Sequence, residues 1–161
     1  MGAAEDVAVV RRGYEAFNTA DMDTLTELFE ESASWHTPGR SSLAGDHEGR
    51  DATFAYFGQL GGQTGGTFRA ELQHLAGDGD GCVIAIHHNS GERDTKHLDV
   101  DCCIVFEIKD GWCTSSREQG CRQDRGATLL ALLPPLRVGR VLVVAPPAYG
   151  SASLPDGRSW G

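Results

Sequence analysis

Residues 98–119 read LDVDCCIVFEIKDGWCTSSREQ. Leu98, Val100, Cys102, Ile104, Phe106 and Ile108 recur at every second position. That is the period of a strand with one buried face. Asp110-Gly111 follows at once, a two-residue hairpin signal, because Asp and Gly tolerate the positive φ such turns demand. Residues 112–119 then return as the partner strand. With the turn at Asp110-Gly111, the numbers of paired residues sum to 221. Ile108 then faces Cys113, Phe106 faces Ser115, and Ile104 faces Arg117. This hairpin extends backward. Residues 82–89 form a strand, and 90–95 a polar loop. Phe68, Ala70, Leu72, His74 and Ala76 alternate with polar residues on a further strand. Gly77-Asp78-Gly79-Asp80-Gly81 supplies the turn between these two. The second half therefore reads as an antiparallel meander.

The first half has the helical period instead. Val7, Val10, Tyr14 and Phe17 make one stripe, broken by Asn18-Thr19-Ala20-Asp21. A second helix carries Met22, Leu25, Leu28 and Phe29, with Asp21 and Asp23 at its positive end. Residues 33–37 are a short extended run stopped by Pro38-Gly39, and residues 40–49 a polar loop. Asp51 is placed to cap a third helix bearing Phe54, Phe57 and Leu60, ended by Gly61, Gly62, Gly65 and Gly66. Helices first and a meander afterwards define an α+β domain, three helices packed on one face of a curved antiparallel sheet.

Charge narrows the partners. The 161 residues carry 14 Lys+Arg and 23 Asp+Glu, a net charge of -9. Residues 1–119 hold 21 of the acids and 9 of the bases, a net −12. Such a surface argues against nucleic acid and anionic lipid as partners. No apolar run long enough to span a membrane is present; the longest, 127–149, is broken by Arg137, Arg140 and four prolines. The acidic N-terminus has no signal-peptide pattern. The five cysteines have no CxxC spacing, so they read as reduced apolar residues of a cytoplasmic protein. No metal or other cofactor is expected. Asp78-Gly79-Asp80-Gly81 lacks the later ligands of a calcium loop. The 61–66 glycine cluster follows a helix, not a strand, so it is a turn and not a phosphate loop.

Several stretches resemble one superfamily. Residues 10–18 (VRRGYEAFN), Asp21-Met22-Asp23 and Leu28-Phe29 look like the opening of the NTF2-like fold. Residues 35–41 (WHTPGRS), Leu43-Ala44-Gly45, Gly49-Arg50-Asp51-Ala52 and residues 106–111 (FEIKDG) are similar to its SnoaL-like group, relatives of polyketide cyclases and ketosteroid isomerases. The resemblance covers about residues 5–119. It implies a cone with an apolar pocket between helices and sheet, a hydrophobic small molecule as partner, and a homodimer. It also implies either a cofactor-independent isomerase or cyclase working by proton transfer on a polyketide- or terpenoid-like compound, or a non-catalytic binder of one. Steroid isomerases of this family use a helix-1 Tyr, a first-strand Asp and a late-strand Asp. Their positions correspond here to Gly13, Thr37 and Ile104, so those groups are missing.

Other residues then become the candidates. His36 titrates near neutrality and is expected at the pocket mouth. Arg117, paired with Ile104 by the 221 rule, is expected on the pocket face as an oxyanion or carboxylate partner. His36 and Arg117 are the expected catalytic pair. Tyr14, Phe17, Trp35, Thr37, Phe54, His74, His87, Cys102 and Ile104 are the expected substrate wall. Asp99 and Asp101 alternate away from it. The resemblance stops near Gln119. Residues 120–161 hold no Lys, Glu or His and read as an extension or a changed reading frame, with a helix near 127–133 and an extended run at 138–145.

Overall fold

The computed structural model describes residues 2–122, the last four through their backbone alone. In chain order the elements are α1 (Ala3–Thr19), α2 (Met22–Leu28), β1 (Phe29–Thr37), β2 (Gly45–Glu48), α3 (Arg50–Gln63), β3 (Arg69–Gly77), β4 (Cys82–Arg93), β5 (Lys96–Lys109) and β6 (Trp112–Arg122). The expected helix and extended run of the tail lie outside the described residues.

One sheet of six strands runs β2-β1-β6-β5-β4-β3. The meander β3 to β6 is antiparallel, as its turns require. The sheet as a whole is mixed, because β1 lies parallel to β6, with Trp35 beside Ser116 and His36 beside Arg117. This corrects the purely antiparallel expectation. The β1–β6 pairing joins chain segments some 80 residues apart, so no turn between them announces its direction. The segment read as a polar loop contains β2, paired with β1 through Trp35 and His47.

The Asp110-Gly111 turn forms with φ of 50° and 86°, and Lys109 pairs with Trp112 and Ile108 with Cys113. One step further the ladder slips. Glu107 pairs with Ser115, Val105 with Arg117 and Ile104 with Glu118. Thr114 is the extra residue of a bulge; its Oγ1 donates to the Glu107 carbonyl at 3.2 Å. From there to Ile104 paired numbers sum to 222, before a further slip between Ile104 and Cys102, and a one-residue slip exchanges the two faces of a strand. Arg117 is therefore exposed on the outer face, and Glu118 is buried on the inner one. The β3–β4 ladder slips as well, between Leu72 and His74. It turns His74 outward beside Ile86, while Leu72 pairs with the inward His87. β4 and β5 continue past the expected loop to a turn at Asp94, where φ is 53°.

The helices cover the inner face. Asn18 pins the end of α1 to β3, its amide donating to the Ala70 carbonyl at 2.8 Å and accepting from the Ala70 N–H at 3.0 Å. Asp21 caps α2 by accepting from the Thr24 N–H at 3.0 Å. Gly49, not Asp51, is the cap residue of α3. The core is aromatic: Phe57 meets Phe17, Phe29 and Trp35 edge-on, with centroids 5.1, 6.1 and 4.9 Å apart. Such edge-to-face contacts fix ring positions as well as burying area. Cys82, Cys103 and Cys113 are free thiols. Cys102, read as reduced, is disulfide-bonded. Among the described residues no helix is long and apolar enough to cross a membrane.

Candidate functional site

A cavity of about 70 Å³ lies between α1, α3 and the inner sheet face. Its wall is mostly apolar, from Val9, Val10, Phe17, Leu25, Leu28, Phe29, Phe57, Leu60, Phe68, Ile104, Phe106 and Ile108. Six side chains bring polar atoms to it: Tyr14, Trp35, Tyr56, His87, Asn89 and Glu118. Local periodicity puts four of them there. Tyr14 stands one helical turn beyond Val10 on α1. Trp35 follows Ala33 on the buried side of β1. His87 and Asn89 continue the buried row Val83, Ala85 on β4. Glu118 arrives through the Thr114 bulge.

Burial sets the electrostatics. Glu118 is 8% exposed, and loss of water raises its pKa from 4.5 to about 6, with His36 pulling slightly the other way. A carboxyl so placed exchanges its proton near neutral pH. His87 is 2% exposed, and burial lowers its pKa to about 4, leaving the ring neutral. Its Nδ1 lies 2.7 Å from the Tyr14 hydroxyl. Burial, and then the Glu118 charge, push the Tyr14 phenol upward. Tyr56 is pushed up to about 12, mainly by burial. The Glu118 charge raises both phenols, so all three groups share one field.

Among the described residues, Trp35 Nε1 and Asn89 Oδ1 of the wall and Thr37 Oγ1 nearby are buried without a well-aligned hydrogen bond, although Trp35 and Thr37 lie close enough to Tyr56 to pull its pKa down. Asn89 lies close enough to His87 to raise its basicity a little, and its Nδ2 is 3.3 Å from Cys102 Sγ. No aligned bond reaches Oδ1.

The structure brings together part of the expected set. Tyr14, Phe17, Trp35, His87 and Ile104 line the cavity. Phe54 stands behind it, packing on Phe29 at 5.7 Å between centroids. Thr37 is adjacent, near Tyr56. Cys102 is buried in the sheet outside the wall. His74 and Arg117 point outward through the two bulges. His36 alternates outward from Trp35 and bonds Asp46 on β2, so it touches the site through its charge alone. Glu118, Tyr56 and Asn89 were not anticipated. Asn89 lay within reach, since it follows His87 by two positions on the same strand. Glu118 did not: after Cys113 its strand reads Thr-Ser-Ser-Arg-Glu, with no apolar alternation to fix which face each residue takes.

A sheet with helices on one face around an apolar cavity is the architecture of the NTF2-like class. An NTF2-like protein from Burkholderia xenovorans superposes with a TM-score of 0.62 at 22% identity, over 73% of this chain and 90% of that one. Within the class, residues 10–115 match the SnoaL-like domain, and the chain belongs to that family. An uncharacterised protein of Mycobacterium tuberculosis is 31% identical over 113 residues, 70% of this chain and 86% of the relative. Bal32a, from a soil-derived mobile gene cassette, is 61% identical with a TM-score of 0.71, over 72% of this chain and 88% of that one.

Proposed function

We propose that this SnoaL-like protein is a cofactor-independent isomerase or cyclase that moves a proton on a hydrophobic, polyketide- or terpenoid-like carbonyl compound. The observation that carries the reading is Glu118, a carboxyl buried in an apolar wall with its pKa lifted to about 6. A base matched to neutral pH is what carbon-acid chemistry needs. The Glu118 carboxylate takes a proton from the carbon beside the carbonyl, and the C–H electron pair moves to form the enolate. Tyr14 donates its hydroxyl hydrogen bond to the enolate oxygen when the His87 proton sits on Nδ1 and is given to the phenol oxygen. Glu118 then returns the same proton to a different carbon; or the enolate carbon attacks a second carbonyl, the C=O π pair moves to its oxygen as the ring closes, and Glu118 returns the proton to that alkoxide. Resemblance to the steroid isomerases supports the reaction class, although the carboxylate here comes from the last strand of the meander. A binding role without chemistry is favoured by one observation, the predominance of apolar side chains around the cavity.

The test is deuterium uptake. A panel of β,γ-unsaturated and aryl alkyl ketones is incubated in D2O with wild type and Glu118→Gln, and carbon-bound deuterium is read by mass spectrometry. Uptake that depends on Glu118 is expected. Ketones that bind but exchange no faster than in buffer would point to the binding role.

A further inference from the structure

A second and larger cavity, of about 290 Å³, opens where the end of α3 meets the β4–β5 hairpin. Leu60 and Phe68 line both cavities, so these two side chains form part of the wall between them. The outer cavity differs in charge. Arg93, Lys96 and His97 line it, with Glu92 as the one acid. His97 is 3.6 Å from Glu92, and Asp94 occupies the exposed turn. Arg93 donates from Nη1 to Gln63 Oε1 at 3.0 Å, its one side-chain hydrogen bond among the described residues. Neither Arg93 nor Lys96 has an ion-pair partner among the described residues. Two of the nine Lys and Arg of residues 1–119 thus flank one groove of a domain that is otherwise strongly acidic.

We infer that the ligand is an amphipathic organic anion, its ring system in the inner cavity and its carboxylate, or an equivalent acidic oxygen group, held by Arg93 and Lys96 in the outer one. This rests on the reading of the inner cavity as a small-molecule site. Guanidinium and ammonium groups bind carboxylate oxygens through charge-assisted hydrogen bonds. The apolar ring and the acidic group would then be recognised by separate, adjoining surfaces. The partition can yield, because α3 carries Gly58, Gly61 and Gly62 around Leu60, and a side chain at any of them would meet open space.

The test uses a matched pair of dyes. 1-Anilinonaphthalene-8-sulfonate carries the anion, and N-phenyl-1-naphthylamine is the same ring system without it. Wild type should bind the sulfonate about tenfold more tightly. Arg93→Gln/Lys96→Gln changes two exposed side chains; it should erase that preference and leave the neutral dye within twofold, with circular dichroism confirming the fold. Gly13 lines the inner cavity, and a Cβ there meets nothing within 4 Å. Gly13→Leu should therefore fill the cavity and lose both dyes, which places the ring. Equal binding of the two dyes, or a sulfonate affinity untouched by the double variant, overturns the anion site and leaves the proton-transfer reading intact. Failure of wild type to bind either dye overturns both.

Discussion

His87 and His88 share a peptide bond but occupy opposite faces of the sheet. His87 faces the cavity, loses its water and is pushed down to about 4. His88 faces outward, with Nδ1 2.8 Å from Asp101 and Nε2 3.2 Å from Asp99, and these carboxylates raise its pKa. The same contrast repeats at Trp35 and His36 and at Arg117 and Glu118. On this sheet the inner face withholds solvent and makes ionisation costly. The outer face supplies counter-charges and water and makes it easy. Position by parity, more than residue type, decides which groups can do chemistry.

The comparison breaks most visibly at β6. Glu118→Gln should lower ketone exchange at least ~100-fold, the usual range for loss of a general base, while Arg117→Gln one residue away should change it less than twofold. The wild-type rate should rise through about pH 6, as Glu118 ionises. Equal losses in the two variants would remove the distinction between faces.

Stability against pH sharpens it next. Glu118 is raised from 4.5 to about 6 in the fold, so it binds protons preferentially when folded. Its stabilising effect is complete below pH 4.5 and is lost as pH climbs to 6, by about 2 kcal/mol. His87 is lowered from 6.5 to about 4. Its effect has the opposite sign: about 3 kcal/mol of stability is gained as pH rises from 4 to 6.5. The two slopes offset in the wild type. Glu118→Gln should expose the His87 slope, seen by urea unfolding at pH 4, 5 and 6.5; parallel curves for the two proteins would contradict the assignment.

Tyr14→Phe should cost about 2 kcal/mol in the same assay, because His87 Nδ1 then lies buried without its 2.7 Å partner. The smallest effect belongs to the outer face. His88→Gln should cost under ~1 kcal/mol at pH 6 and nothing well above the raised pKa, where the imidazole is neutral, and 0.5 M salt should remove the difference.

Helices, meander and turn positions were legible in the sequence because they follow from neighbours in the chain. The Asp110-Gly111 turn fixed Ile108 against Cys113 correctly. Two residues later, at Ser115, the register was wrong, because Thr114-Ser115-Ser116 has no composition that marks a bulge. That single residue moved the candidate catalytic role from Arg117 to Glu118. His74 failed for the same reason, through the slip after Leu72. The β1–β6 pairing was invisible on other grounds, since it depends on packing between distant segments. His87, Tyr14 and Trp35 were legible because their strand or helix has an unbroken period up to them.

The inner cavity holds about 70 Å³, whereas roughly 150 Å³ is enough for benzene. On the proposed reading a ring-sized ligand would need a wider cavity than this one, and measured affinity would be the intrinsic affinity multiplied by the fraction of the protein that offers it. Shortening Leu60 removes an apolar contact yet enlarges the competent fraction. For the proposed ligand, affinity would then depend on how often the wall between the cavities parts, as much as on what lies behind it.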